Sequence, residues 1–285
     1  MVMTEKGKLD RHNHDRDAVG MTYVYPVISR RAGGVSVGIN LNPNNACNWH
    51  CAYCQVPDLV RGSAPDIDLE KLVVELQQML DDVLHGSFMQ QRVPENARNL
   101  CDIAISGNGE PTSCRNFPVI VQGIIDVMRE KKLEIPLRLI SNGSYMHKPQ
   151  VQEGLRLLAE RQGEVWIKVD AVTAEAVQRI NGITMDAGKV FAQVKAAAES
   201  CPSWIQTCML AWDGMPPSES EIQAYLDLLQ RLKDEKVPLR GVLLYGLARP
   251  SMQQEAVHVS ALSQDWMQHM VERIEDCGWL VKLSI

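Results

Sequence analysis

The stretch Cys47-Asn48-Trp49-His50-Cys51-Ala52-Tyr53-Cys54 constrains this chain more than any other. Its three cysteines, separated by three and then two residues, lie in one short loop after the apolar run 35–41, so their thiolates can converge on one small inorganic centre. Polarisable sulfur ligands select iron-sulfur or zinc over magnesium or calcium. A four-iron cubane takes four ligands and this loop offers three, which leaves one iron open to something that is not protein. Zinc would take His50 or a distant cysteine as its fourth ligand. Structural zinc usually adds a second compact knuckle, however, and the sequence contains no second CxxC. The plain alternative is a set of buried apolar cysteines with no metal.

At 285 residues the chain can build one large core, and strand-helix barrels of this length commonly form one domain. The expected organisation is a flexible arm over 1–20 and a single domain over 21–285, with a core at about 35–250 and a C-terminal helical segment at 251–285. A formal charge of −6 and a pI near 5.7 give no overall positive field for a phosphate backbone, which favours a small molecule or peptide as substrate over RNA. Eight cysteines behind a charged N-terminus without an apolar leader core point to the reducing cytoplasm. No apolar run approaches the roughly 20 residues of a membrane-spanning helix, so no membrane partner is expected.

Residues 1–20, with Arg11-His12-Asn13-His14-Asp15-Arg16-Asp17, are polar and aperiodic, and His12 and His14 read as solvated tail residues rather than ligands. Runs 23–28 and 35–41 flank Gly33-Gly34, which predicts a hairpin with a tight turn leading into the cysteine loop. Arg30 and Arg31 would stand at its bend, solvated or against an anion. Asp66 or Asp68 can cap a helix whose stripe is Leu69, Leu72, Val73, Leu76, Leu80, Val83 and Leu84, and 86–99 is a polar connection. Strands at 102–106, 137–140, 165–169, 204–210 and 239–245 then alternate with helices at 117–131, 150–161, 187–199 and 218–233. A final helix is expected at 254–276 and a late strand at 279–285. Such alternation implies a parallel sheet with right-handed crossovers. The predicted fold is α/β: a partial (β/α)6 TIM-type barrel, open on one side, with an N-terminal β-hairpin.

Ligands of such barrels sit at the carboxyl ends of strands. Five stretches fall there. Gly107 and Gly109 permit close backbone approach to a ligand, with Asn108 between them, and Glu110 is an acceptor for an ammonium group; an ordinary turn is the alternative. Ser141-Asn142-Gly143 offers hydroxyl and amide groups to a ribose, or simply caps a turn. Lys168 and Asp170 share a strand face, as an internal ion pair or as contacts to a cofactor or substrate. Cys208, in Gln206-Thr207-Cys208, is a candidate thiol hydrogen donor. Arg249 is a candidate clamp for carboxylate or phosphate with Tyr245 nearby, against the alternative of a surface arginine beside a proline turn. Cys101, Cys114, Cys201, Cys208 and Cys277 show no compact spacing for a second cluster and read as buried thiols.

The CxxxCxxC spacing, with aromatic Tyr53 directly before the third cysteine, resembles the signature of the radical S-adenosylmethionine superfamily. Ser106 to Thr112 resembles its Gly-Gly-Glu motif, with Asn108 where a glycine often stands, and Ser141-Asn142 resembles its ribose contact. The order of these stretches, with Ser29-Arg30-Arg31, Gly38-Ile39-Asn40-Leu41, Val169-Asp170-Ala171 and Arg179-Ile180-Asn181, resembles the branch of iron-sulfur oxidoreductases related to wyosine synthases, over roughly residues 23–235. The resemblance implies a 4Fe-4S cluster on Cys47, Cys51 and Cys54, and S-adenosyl-L-methionine on the open iron. It also implies reductive cleavage to a 5′-deoxyadenosyl radical that abstracts hydrogen from a substrate, and an external one-electron reductant such as flavodoxin or ferredoxin. Tyr53, Gly107, Asn108, Gly109, Glu110, Ser141, Asn142, Lys168 and Asp170 are then the cofactor-binding candidates. Cys208, Tyr245 and Arg249 are the catalytic ones. An iron-sulfur electron-transfer or scaffold protein, and a tRNA-modifying enzyme of wyosine type, are the competing readings.

Overall fold

The computed structural model describes residue 9, residues 19–29 and residues 33–285. His12, His14, Arg30 and Arg31 lie outside the described residues, as does most of the segment read as an arm. Leu9 is described: it is buried in the core, and its N–H donates to the Arg92 carbonyl at 2.8 Å.

Eight strands form one sheet. They are β1 (Val24–Ser29), β2 (Gly34–Ile39), β3 (Leu100–Ile105), β4 (Leu137–Ser141), β5 (Glu164–Lys168), β6 (Ser203–Met209), β7 (Leu239–Gly246) and β8 (Val281–Ser284), neighbours in that order. β1 and β2 pair antiparallel, Val24 opposite Ile39, across a turn in which Gly33 takes φ +78°. Only glycine adopts such an angle without strain, which is why the hairpin bends there. Every later pairing in the sheet is parallel. Parallel neighbours need crossovers, and helices supply them. α1 (Leu69–His85) and the short α2 (Phe88–Arg92) precede β3; α3 (Phe117–Glu130) precedes β4; α4 (Pro149–Glu160) precedes β5. α5 (Ala174–Asn181) and α6 (Ala187–Ala198) precede β6, α7 (Glu219–Asp234) precedes β7, and α8 (Gln264–Asp276) precedes β8.

The two faces of the sheet have different chemistry because side chains alternate along each strand. Val37, Ile39, Ile103, Ile105, Leu139 and Val165 are fully buried in one contiguous core with the apolar stripes of the helices. Each such side chain contributes about 1.5–3 kcal/mol on burial. The opposite face, from Tyr25 on β1 through Asp102, Arg138, Trp166 and Gln206 to Tyr245 on β7, lines one cavity of about 290 Å³. Residues so far apart along the sheet can share a cavity only if the sheet curls, so the fold is a mixed α/β half-barrel. Among the described residues no helix is long and apolar enough to cross a membrane.

Asp68, not Asp66, caps α1, its side chain accepting the Lys71 N–H at 3.0 Å. Leu72, Leu76, Leu80 and Val83 form the buried stripe, but Leu84 is 37% exposed and turns away from it. Buried Glu75 joins the stripe instead, because its carboxylate accepts the N–H groups of Thr22 (2.9 Å) and Tyr23 (2.7 Å) at the start of β1. The C-terminal reading also needs correction. Residues 254–276 form a single turn at Gln254–Val257, a bridge Val259–Ser260 paired with Ala211–Trp212, and only then α8, capped by Ser263. Helix-forming residues at 254–256 extend the apparent period, whereas the partner at 211–212 leaves no local trace. α2 and α5 were not expected, being too short for periodicity to reveal.

Candidate functional site

The three-cysteine loop leaves the carboxyl end of β2 and is fixed mainly by backbone. The His50 and Ala52 N–H groups donate to the carbonyls of Asn181 (3.0 Å) and Ile180 (2.8 Å) at the end of α5. Ala46–Cys47 pairs in parallel with Val60–Arg61, and the Arg61 guanidinium reaches the carbonyls of Asn48 and Gly182. Bulky Trp49 is 2% exposed and anchors the loop, its indole N–H donating to the Ser144 hydroxyl at 2.8 Å. His50 faces away from the core and pairs with Glu255 at 3.1 Å.

Cys47, Cys51 and Cys54 carry free thiols, and all three line the 290 Å³ cavity. Burial pushes the Cys47 thiol up to about 11, and burial pushes Cys51 further in the same direction although the Lys168 ammonium opposes it. The protein therefore holds these groups neutral unless a cation arrives with its own charge, which is what a thiolate-bound metal centre brings. Among the described residues no three His, Cys, Asp or Glu side chains converge as the ligands of one ion. A cubane places each thiolate on a different iron, so convergence on a single point is not what it requires. The donor set fits such a cluster.

The wall beside the loop is the segment after β3. Gly109 packs so tightly that a Cβ there would lie 2.0 Å from the Ala46 carbonyl oxygen, which is why no larger residue fits. Gly107 and Asn108 follow the same contour: the Asn108 N–H donates to Asn40 at 3.0 Å, and its side-chain amide donates to Asn45 at 2.6 Å. Glu110 is 1% exposed and already engaged. It accepts from the Thr112 N–H (3.0 Å) and hydroxyl, the Ser141 hydroxyl (2.7 Å) and the Asn142 N–H (2.7 Å). Burial nevertheless raises its pKa, the four donors only partly offsetting the loss of water. The carboxylate thus braces the glycine segment to the end of β4. Asn142 in turn donates to Asn48 of the cysteine loop at 2.8 Å, so Ser141 and Asn142 belong to the same wall.

Across the cavity Lys168 lies among aromatic rings, its ammonium 4.8 Å from the centre of Tyr53 and 5.7 Å from that of Tyr245, with the Tyr245 hydroxyl at 3.0 Å. Burial alone would lower its pKa, but the Asp170 carboxylate at 3.9 Å outweighs burial, and the amine is held well above its ordinary value. Asp170 also accepts from the Tyr53 hydroxyl (2.5 Å), the Asn181 amide (2.9 Å) and the Cys208 N–H (2.9 Å). The expected internal ion pair is present, and both members face the cavity region. Behind Asp170 and buried Cys208 is a second cavity of about 260 Å³, with Val172, Ile180 and Leu210 among its apolar walls. Arg249 lies three residues beyond β7 and donates to Gln55 of the cysteine loop at 3.1 Å, which fixes its guanidinium on the cavity rim.

Sequence reading missed the cavity floor. Asp102 there binds the Ser36 hydroxyl and the Arg138 guanidinium, and Arg138 also meets Glu164 at 2.6 Å. Glu164 further accepts from Arg240 (3.0 Å) and the indoles of Trp166 (3.0 Å) and Trp204 (3.1 Å). Charged residues inside buried strands were the available signal, since a lone charge there is costly. Asn181, which donates to Asp170 and stands 3.4 Å from the Cys51 sulfur, was visible only as part of a branch resemblance.

No family model matches the chain. A UPF0026 protein of Helicobacter pylori strain J99 is 25% identical over 220 residues, 76% of this chain and 65% of that protein. A UPF0026 protein of a Synechocystis species is 26% identical over 223 residues, 76% and 74% of the two chains. The chain thus spans somewhat under two thirds of the Helicobacter relative's length. Among solved structures, TYW1 with a bound lysine-pyruvate adduct superposes with a TM-score of 0.55 at 16% identity, over 94% of this chain and 79% of that one. A radical SAM methyltransferase from Sphaerobacter thermophilus gives 0.59 at 12% identity, over 88% and 66%. Streptococcus suis SuiB bound to S-adenosylmethionine gives 0.52 at 10% identity, over 88% and 47%. The chain has the fold of the radical SAM enzymes.

Proposed function

We propose that this chain is a radical S-adenosylmethionine enzyme acting on a small molecule or peptide. The observation that carries the reading is three free thiols opening on one cavity whose other walls include the glycine segment braced by Glu110 and Lys168, which Asp170 pairs from behind. Cys47, Cys51 and Cys54 would hold a 4Fe-4S cluster, and strands β2 to β7 are read as its partial (β/α)6 barrel. What such a cluster supplies when bound is the single electron that cleaves S-adenosylmethionine reductively. The chain's own part is positional. The glycine segment lets backbone approach the amino acid end of that cofactor, Ser141 and Asn142 stand near for its hydroxyls, and Lys168 offers a buried positive charge. The apolar cavity behind Asp170 suits a flat heteroaromatic ring, next to Tyr53.

Substrate would enter the remaining space above the floor, with Tyr245, Arg249 and Cys208 on its boundary. The acidic net charge of −6 favours a small molecule or peptide over RNA. The TYW1-like fold favours the second reading, action on tRNA. An external one-electron donor of the flavodoxin or ferredoxin class and a cytoplasmic setting follow from the chemistry. The test is anaerobic reconstitution with iron and sulfide, then reduction with S-adenosylmethionine. Four irons per chain and release of 5′-deoxyadenosine support the reading; a loaded, reduced sample that releases none ends it.

A further inference from the structure

The segment after β7, residues 247–260, matched no motif, yet it runs from the three-cysteine loop to the rim of the second cavity. Its first part lies on the three-cysteine loop. The Ser251 hydroxyl donates to the Ala52 carbonyl at 2.7 Å and stands 3.3 Å from that of Cys54. The Met252 N–H donates to the Cys54 carbonyl at 2.8 Å, and the Gln253 amide donates to the Val56 carbonyl at 2.7 Å and lies 3.3 Å from that of Cys54. Ser251 and Gln253 are 8% and 9% exposed. The Ser251 hydroxyl also accepts the Gln253 N–H at 3.0 Å, so the segment holds its own bend. Its second part lies at Trp212, on the rim of the second cavity. There the Asp213 N–H donates to the His258 carbonyl at 2.8 Å, and Val259 pairs with Trp212.

The carbonyls of Cys47 and Cys51 accept from Gly62 and Cys54, close by in the chain. Among the described residues no N–H of the loop itself donates to the carbonyls of Ala52, Cys54 or Val56, so their donors come from residues nearly 200 positions away. Buried carbonyls left without donors are costly, and the loop would move to regain them. We propose that residues 249–259 form a strap that sets the shape of the three-cysteine loop, with Ser251 and Gln253 as its positioning residues. Its consequence for a bound cluster rests on the proposed function; its consequence for the loop does not. Three donors around the carbonyl of Cys54 fix the last thiol of the set, and the strap's far end ties that geometry to the rim of the second cavity at Trp212.

The test uses the full-length, metal-free protein. In a variant combining Ser251→Ala with Gln253→Met, which keeps side-chain bulk and removes the donors, iodoacetamide should label Cys47, Cys51 and Cys54 roughly ten- to a hundredfold faster. Labelling of Cys101 and Cys277 should not change, and Ser251→Thr alone should behave as wild type. Hydrogen exchange on the unmutated chain is independent of any variant's folding: a loop that keeps its shape only while the strap is docked should give the Ala52 amide, which donates to Ile180, no more protection than the Met252 amide, which donates to Cys54. Unchanged labelling, equal acceleration at all eight cysteines, or Met252 exchanging far faster than Ala52 would each overturn the strap. In the reconstituted holoprotein the double variant should shift the cluster's reduction potential, a readout that mere loss of stability leaves alone. Should no chain take up iron, the proposed function falls, and labelling and exchange still decide the strap.

Discussion

The mouth and the floor of the half-barrel are both polar and both buried, and they differ in whether the protein satisfies itself. On the floor, Asp102, Arg138, Glu164 and Arg240 alternate in sign, and both carboxylates are paired with guanidinium groups. At the mouth, three half-buried thiols line the cavity, and Lys168 brings a charge to its wall. A closed network contributes rigidity and a fixed strand register. An incompletely compensated one is organised for a ligand, and its polar groups are the place to look for chemistry.

Substitutions can break that contrast. The largest effect belongs to Cys51→Ala, which should abolish cluster assembly and lower 5′-deoxyadenosine formation roughly a thousandfold or more, beyond the 10–100-fold typical of losing an outer partner. Iron analysis and product chromatography check it, and the variant should unfold in urea much as the parent does. Arg138→Met is the converse. It strands the Asp102 carboxylate, while Glu164 keeps Arg240, so unfolding in urea should show a loss of about 3–5 kcal/mol, with iron bound per folded chain unchanged. If instead iron uptake fell while stability held, the floor would be part of the site.

Glu110→Gln probes the seam between the two regions. An amide placed among four donors loses acceptor capacity, so about 1–3 kcal/mol of stability should go, together with affinity for S-adenosylmethionine measured by equilibrium dialysis of the loaded protein. The smallest effect is a difference in pH response. Burial raises Glu164, but its hydrogen bonds and the Arg138 charge prevail, and its net pKa is lowered from 4.5. Its stabilisation is therefore complete above that value and is lost as pH falls through the folded pKa. Burial leaves Glu110 raised from 4.5, so it binds a proton more readily folded than unfolded, and stability declines as pH rises from there through its folded pKa. Urea unfolding between about pH 3.5 and 7 should show the parent's advantage over Glu164→Gln shrinking toward acid, and its advantage over Glu110→Gln shrinking toward neutrality. Parallel trends would erase the distinction.

Much of the molecule was legible as local pattern. The apolar strand cores, an aspartate cap on α1 and Gly33 in the hairpin turn each follow from neighbouring residues, as does the grouping of three thiols in one loop. The candidate residues at strand ends also come together: Tyr53, Glu110, Asn142, Lys168 and Arg249 line one cavity. Glu110 illustrates the limit. Its position was legible, but its engagement by Ser141, 31 residues away, was not, because a carboxylate's partners depend on which strand is its neighbour.

By itself the sequence determined the grouping of three thiols in one loop and the order of the eight sheet strands, since both are carried by residues a few positions apart. Only the tertiary structure decided which charges are closed on themselves, which cavity the thiols share, and that residues 251 to 255 lie against the cysteine loop rather than in a terminal helix. The physical reason is range. A hydrogen bond between residues 199 apart has the same energy as one between neighbours, but it leaves no mark in the spacing of the chain.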